Sequence, residues 1–221
     1  SEGLSFKNVV LFTLFEFYPI NPTEQQSYTY SLYEELINQV DIPANQIHTL
    51  DGTVPASQVS EYCKQYEAEI HAAGGIDILL LGMGDQGQIA LNEGGTYQNT
   101  RTRVVALSNA SRKRVSSSFY GIENVPTRAL TIGIATVMQA KRIVLIGWGE
   151  DKSEVAAKVV EGGVDGSIPA SYLQNHANVE VVLDEDSASH LTRVATPWLV
   201  GSCVWTVSYT HLRAHETPEH L

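Results

Sequence analysis

Two nearly uninterrupted apolar runs, IDILLLG at 76–82 and RIVLIG at 142–147, constrain this chain more than any other feature. A strand with one wet face alternates apolar and polar residues, whereas these runs place apolar side chains on both faces and need cover on both. They imply a parallel sheet beneath helices. Short β-branched runs at 9–12, 129–132 and 179–183 supply further strands, and helical stretches at 27–39, 57–72, 110–119 and 153–161 alternate with them. This alternation predicts an α/β fold: a doubly wound, mostly parallel sheet with helices on both faces. The chain has 221 residues, 43% of them hydrophobic, which is enough apolar material for the core of one domain.

The run at 76–82 leads directly into GMGDQGQIALNEGG at 82–95. A glycine-rich turn after a parallel strand places backbone N–H groups at the carboxyl edge of the sheet, where α/β proteins bind small ligands. Gly84 and Gly87 let the backbone approach such a ligand, or they serve a tight strand-to-helix turn; the sequence weighs these evenly. Gln86 and Gln88 can hydrogen-bond a hydroxyl but have no pKa near neutrality, so they suit recognition rather than acid/base work. Glu93 can titrate. Tyr28, Tyr30 and Tyr33 read as core packing, and Trp148 as a structural tryptophan.

A net charge of −11 argues against nucleic acid and anionic membranes as partners. No apolar run approaches the length of a membrane span, and Cys63 and Cys203 form no spacing motif, so a reducing cytoplasm is the default expectation. His211, His215 and His220 lie in a tail, 207–221, that resembles no folded element. Residues 207–217 match what one reading frame of a transposase-type sequencing adapter encodes, so the tail is read as non-native and its histidines as no metal site.

Read beside FTLFEFYPINPTEQQSYTYSLYEE (12–35) and VDIPANQIHTLDGT (40–53), the glycine-rich segment resembles the glucosamine-6-phosphate deaminase, or isomerase, family. The likeness continues through ENVPTRALTIGIATVMQAKRIVLIGWGEDK (123–152) and PASYLQNH (169–176) to Arg193. The related 6-phosphogluconolactonases share the fold but carry Ser-Leu-Phe-Pro-Gly where this chain has Asn92-Glu93-Gly94-Gly95, which favours the deaminase branch. The resemblance implies a Rossmann-type fold, a hexosamine phosphate or related sugar phosphate as ligand, and neither cofactor nor metal. It also implies a possible homo-oligomer.

Family members open an amino-sugar ring with a histidine, shuttle a proton between C1 and C2 with an aspartate, and release ammonia to leave fructose 6-phosphate. Their motif Gly-x-Gly-x-Asp-Gly-His-Ile-Ala-Phe-Asn-Glu-Pro sets the aspartate at Gln86, the histidine at Gln88 and the glutamate at Glu93. Their Asn-Met-Asp-Glu-Tyr segment falls on 13–17, with the proton-shuttling aspartate at Phe15. Only Glu93 is retained. Glu16 is a conceivable displaced base, although neighbouring strand residues face opposite sides, and His48 or His176 would have to fold inward to replace the lost histidine. The family's phosphate-binding arginine matches Ser118, with Arg112, Lys113 and Arg114 upstream as a solvated basic face or a substitute charge, and its second cationic contact matches Lys152.

The family begins with a strand and a phosphate loop well before the equivalent of Val9, so 1–206 is expected to be a deaminase-like domain lacking both. PWLVGSCVW at 197–205 resembles a bacterial variant that continues into a zinc-dependent deacetylase-like domain, which makes such a domain a possible lost partner. Two functions stay open. One is a deaminase/isomerase homologue of amino-sugar metabolism whose replaced catalytic positions make this copy inactive. The alternative is a non-catalytic sugar-phosphate-binding or scaffolding domain of a larger bifunctional protein.

Overall fold

The computed structural model describes residues 4–201; Cys203, the three tail histidines and the 207–221 segment lie outside the described residues. Eight strands are described: β1 (Leu11–Phe12), β2 (Phe15–Tyr18), β3 (Ile47–His48), β4 (Ile78–Gly82), β5 (Arg103–Ala106), β6 (Arg128–Thr131), β7 (Arg142–Gly147) and β8 (Val179–Leu183). The helices that frame them include α1 (Tyr28–Glu35), α2 (Val59–Ala72), α3 (Asn109–Val115), α4 (Ile134–Val137) and α5 (Ser153–Glu161). The α/β class expected from the sequence holds.

The strands form a parallel pair β3-β1, a parallel trio β4-β7-β8 and an antiparallel trio β2-β6-β5. In the parallel trio Leu79 pairs with Ile143 and Ile143 with Val179, while Leu81 pairs with Leu145 and Leu145 with Val181. The antiparallel trio departs from expectation. The 129–132 run forms the centre of that ribbon, where Thr131 lies opposite both Phe15 and Arg103. Its partners are four-residue strands, FEFY and RVVA, too short and too irregular in polarity to declare a period of two.

Helix ends follow local side-chain chemistry. Ser27 and Ser108 cap α1 and α3, each accepting from the N–H three residues on. The expected helix at 27–39 stops at Glu35 because Gln39 Nε2 donates to the carbonyls of Glu34 and Glu35, and Ile37–Gln39 forms a 3-10 turn. The one expected at 110–119 ends at Val115, and Gly121 N–H closes the following turn on the Ser116 carbonyl.

The main core joins Leu81, Leu130, Ile132, Ile134, Val137, Ile143 and Leu145 to Tyr66 and Ile70 of α2 and to Val155, Ala156 and Val159 of α5. Each fully buried aliphatic side chain here contributes roughly 1.5–3 kcal/mol. The opposite face of the parallel trio is bare among the described residues. Ile78, Leu80 and Val182 are 59%, 61% and 43% exposed there, and Val144 and Ile146 are half-buried beside them.

Candidate functional site

β4 delivers the chain to the site. Met83 N–H still bonds the Ile146 carbonyl at 2.9 Å, after which Gly84 N–H turns back to the Gln88 carbonyl at 2.9 Å and Gly87 N–H to the Gly84 carbonyl at 2.9 Å. A Cβ at Gly84 would come within 2.0 Å of Gln88 Cδ, and Gly87 has φ +71° with Ile168 packed where its Cβ would lie. Gly87 is thus required by the turn itself, whereas Gly84 makes room for the Gln88 side chain. Ala90 closes the loop at φ +50°, a left-handed conformation that L residues with a Cβ seldom adopt and that loops at ligand sites often hold.

Asn92 pins the loop to the neighbouring ribbon. Its Nδ2 donates to the carbonyl of Ile132 at 2.8 Å and to that of Ile89 at 3.2 Å, while its buried Oδ1 has no hydrogen-bond partner among the described residues. Glu93 ties the same loop to α3. Its Oε1 accepts from Ser111 Oγ at 2.5 Å, Ser108 Oγ at 3.0 Å and Ser108 N–H at 3.3 Å, so the charge sits against the start of that helix.

Gln88 is only 7% exposed, and its amide is held at both ends with one N–H left over among the described residues. Oε1 accepts from Gln86 N–H at 3.0 Å, and Nε2 donates to Asp85 Oδ1 at 3.2 Å. Arg114 completes a chain by donating to the same Asp85 oxygen. Partial burial pushes the Asp85 carboxyl up, but the Gln88 amide, the Arg114 guanidinium and the Lys152 ammonium together hold it below its usual value.

Phe15 stands at the start of β2 with its ring edge-on to Tyr28, centroids 4.4 Å apart. Phe17 stacks on Tyr28, centroids 5.0 Å apart, and meets Phe119 edge-on, so an aromatic wall backs the site. Burial, with Glu16 adding to it, raises the Tyr28 hydroxyl pKa, which keeps that phenol protonated at neutral pH. Phe15, Tyr28, Gly84, Gln88, Glu93, Ser111 and Arg114 line one cavity of about 230 Å³.

Four of the positions singled out in the sequence, Phe15, Gly84, Gln88 and Glu93, therefore converge. Gln86 is exposed in an adjoining cleft of about 640 Å³ beside Asp151, Lys158 and His190. Gly87 is buried under Ile168, and Lys152 pairs with Asp151. Ser118 is exposed outside the cavity, where its carbonyl accepts from Gln26 Nε2 at 3.1 Å.

The conceivable rescues stay away from the cavity. Glu16 is 1% exposed and accepts from Ser27 Oγ and from the N–H groups of Phe17, Tyr28 and Thr29, which makes it the anion that holds the start of α1. His48 Nδ1 lies 3.0 Å from Glu69, and His176 bonds the Ala140 carbonyl at 2.7 Å. Arg114 faces the cavity rather than forming only a solvated basic face, and it shares that cavity with Ser111 and Val115 at helical spacings of three and four, a periodicity visible in the sequence. His190 gave no such signal, because a single histidine beyond the last strand has no partner pattern.

A sequence profile described as glucosamine-6-phosphate isomerases/6-phosphogluconolactonase matches residues 2–183. A glucosamine-6-phosphate deaminase-like protein of Bacteroides thetaiotaomicron is 45% identical over 204 residues, 92% of this chain but 31% of that protein. A glucosamine-6-phosphate deaminase of Corynebacterium urealyticum is 40% identical over 86% of this chain and 73% of its own length. Among solved structures, a monomeric glucosamine-6-phosphate deaminase superposes with a TM-score of 0.81 at 33% identity, covering 85% of this chain and 77% of that one. The 6-phosphogluconolactonase of Trypanosoma brucei superposes at 0.65 with 18% identity over 82% of this chain and 74% of that one, a likeness of fold.

Proposed function

Since the chain belongs to the glucosamine-6-phosphate isomerase/6-phosphogluconolactonase family of carbohydrate metabolism, we propose that it binds a hexosamine phosphate or related sugar phosphate without turning it over. The observation that carries this reading is the make-up of the cavity wall. Ring opening and a C1–C2 proton transfer need groups that gain and lose protons near neutrality. Among the described residues the wall offers one carboxylate, Glu93, together with a phenol of raised pKa and a permanently charged guanidinium. Phe15 and Gln88 occupy the positions where the family resemblance sets its aspartate and histidine. Hydrogen-bonding capacity remains in Glu93, Ser111 and Gln88, and an aromatic wall suits a sugar face, so recognition outlasts proton transfer.

Calorimetric titration with glucosamine 6-phosphate, paired with assays for ammonia and fructose 6-phosphate, tests the reading. Saturable binding with product no higher than for Glu93→Gln is expected. Glu93-dependent ammonia release would show an intact, rearranged catalyst, and a folded protein that binds no sugar phosphate would leave a scaffolding role.

Sheet order supports the further expectation that a strand and phosphate loop are wanting from the described fold. In a doubly wound sheet of order 3-2-1-4-5-6, removing strand 1 leaves a pair and a trio. β3-β1 and β4-β7-β8 have that arrangement, and Phe12 and Leu14 pack on the same core as Leu79 and Leu81. A strand between β1 and β4 would unite them. The Bacteroides relative extends far beyond the matched part, which fits a larger bifunctional parent. Hydrogen exchange on the parent protein should show the β1 and β4 amides protected; unchanged exchange would argue against the missing strand.

A further inference from the structure

A guanidinium and a buried amide converge on Asp85, a residue that the family motif leaves unspecified. Arg114 donates to Asp85 Oδ1, and Gln88 Nε2 holds the same oxygen at 3.2 Å, while Lys152 pairs with Asp151. The two side chains of the ion pair are 38% and 43% exposed, so water and small solutes reach it. An exposed pair of this kind adds little to stability and is readily opened. A phosphate monoester offers a guanidinium two parallel hydrogen bonds and up to two negative charges, a stronger partner than one carboxylate oxygen.

We propose that Asp85 is an internal counter-anion, whose carboxylate occupies the place of a ligand's phosphate beside Arg114 and Gln88 and is displaced when a phosphate ester binds. The inference rests on reading the cavity as a sugar-phosphate site. It makes Arg114 the cation that selects for phosphate, a role Ser118 cannot fill from outside the cavity. It also means that the chain competes with its own ligand. Asp85 belongs to the same turn as Gln88, so it can swing away without disturbing the Gly84–Gln88 backbone bond that shapes the loop.

The test is calorimetric titration of the full chain, and of its Asp85→Asn and Arg114→Gln variants, with glucosamine 6-phosphate, inorganic phosphate and unphosphorylated glucosamine. Circular dichroism establishes that all four proteins, the double variant included, are folded. Asp85→Asn is expected to bind both phosphate ligands about tenfold more tightly, with glucosamine unchanged, in line with the strength of a charge-assisted hydrogen bond. Arg114→Gln should weaken both phosphate ligands at least about tenfold, and the double variant should behave as Arg114→Gln does. Binding that appears only in Asp85→Asn would support the competition directly. If the unaltered chain binds glucosamine 6-phosphate and Asp85→Asn binds it equally or less well, Asp85 is a clamp that positions Arg114 and the inference is overturned, while the sugar-phosphate reading stands. If no folded protein of the set binds either phosphate ligand, both fall.

Discussion

The 82–95 loop and the outer face of β4, β7 and β8 grow from the same strands, yet they are finished to opposite degrees. In the loop, Gln88, Asp85, Glu93 and the Asn92 Nδ2 all have hydrogen-bond partners within the chain, Asp85 through Arg114 of α3. On the outer face, Ile78, Leu80 and Val182 present apolar side chains to water among the described residues. The contrast separates two demands. The shape of a site can be fixed by local bonds among a dozen residues, whereas a parallel sheet acquires its stability only when a layer covers each side.

The largest expected effect sets adjacent residues of β4 against each other. Leu81→Ala should cost about 2–5 kcal/mol, as buried leucines do. Leu80→Ala, on the bare face, should change stability by no more than about 0.5 kcal/mol. Urea unfolding of both variants measures the difference, and equal losses would mean that the outer face is covered and the contrast is false.

Next come the two carboxylates at helix starts. Glu16→Gln removes the charge from a buried oxygen pair that accepts four hydrogen bonds, and a loss of about 1.5–3 kcal/mol is expected. Glu93→Gln, half-buried and bonded through one oxygen, should cost only about 1 kcal/mol in the same thermal-unfolding measurement while weakening any sugar ligand. The reverse order would place the structural role in Glu93 and reopen Glu16 as a functional group.

Gly84→Ala sharpens the claim that the loop is held from within. Its Cβ would overlap Gln88 Cδ, so a loss of about 1–3 kcal/mol is expected from overpacking. Gly82→Ala has open space around its Cβ and serves as the control, with a smaller shift in thermal midpoint.

The smallest effect concerns acid. The Asp85 carboxyl is held below its ordinary 3.8, so its stabilisation is complete above that value and is lost as the pH falls through the lower, folded-state pKa. The thermal midpoint of the unaltered chain should therefore fall slightly more steeply below about pH 4 than that of Asp85→Asn. Parallel curves would show that the exposed pair contributes nothing.

Most of the parallel layer was legible in the sequence because IDILLLG and RIVLIG announce parallel strands without reference to anything distant, although the cover they imply on the outer face is not found among the described residues. The converging positions Phe15, Gly84, Gln88 and Glu93 were legible for a different reason, since motif spacing fixed them on the loop and on β2. The antiparallel ribbon was not. Thr131 meets Phe15 and Arg103 across long stretches of chain, and four-residue strands carry too few residues to display a period. Arg114 illustrates a further limit. A run of three basic residues on a short helix reads as solvated surface until Asp85 folds onto it from a distant loop. Ser118 shows the converse, a motif position that lies outside the cavity once α3 ends at Val115.

The central claim is that the cavity keeps recognition but has lost proton transfer. Its most direct test is deuterium wash-in at C1 of fructose 6-phosphate, followed by NMR with protein and ammonium in heavy water. The account predicts ligand resonances that broaden on binding and no incorporation above the Glu93→Gln background. Incorporation that depends on Glu93 would contradict it.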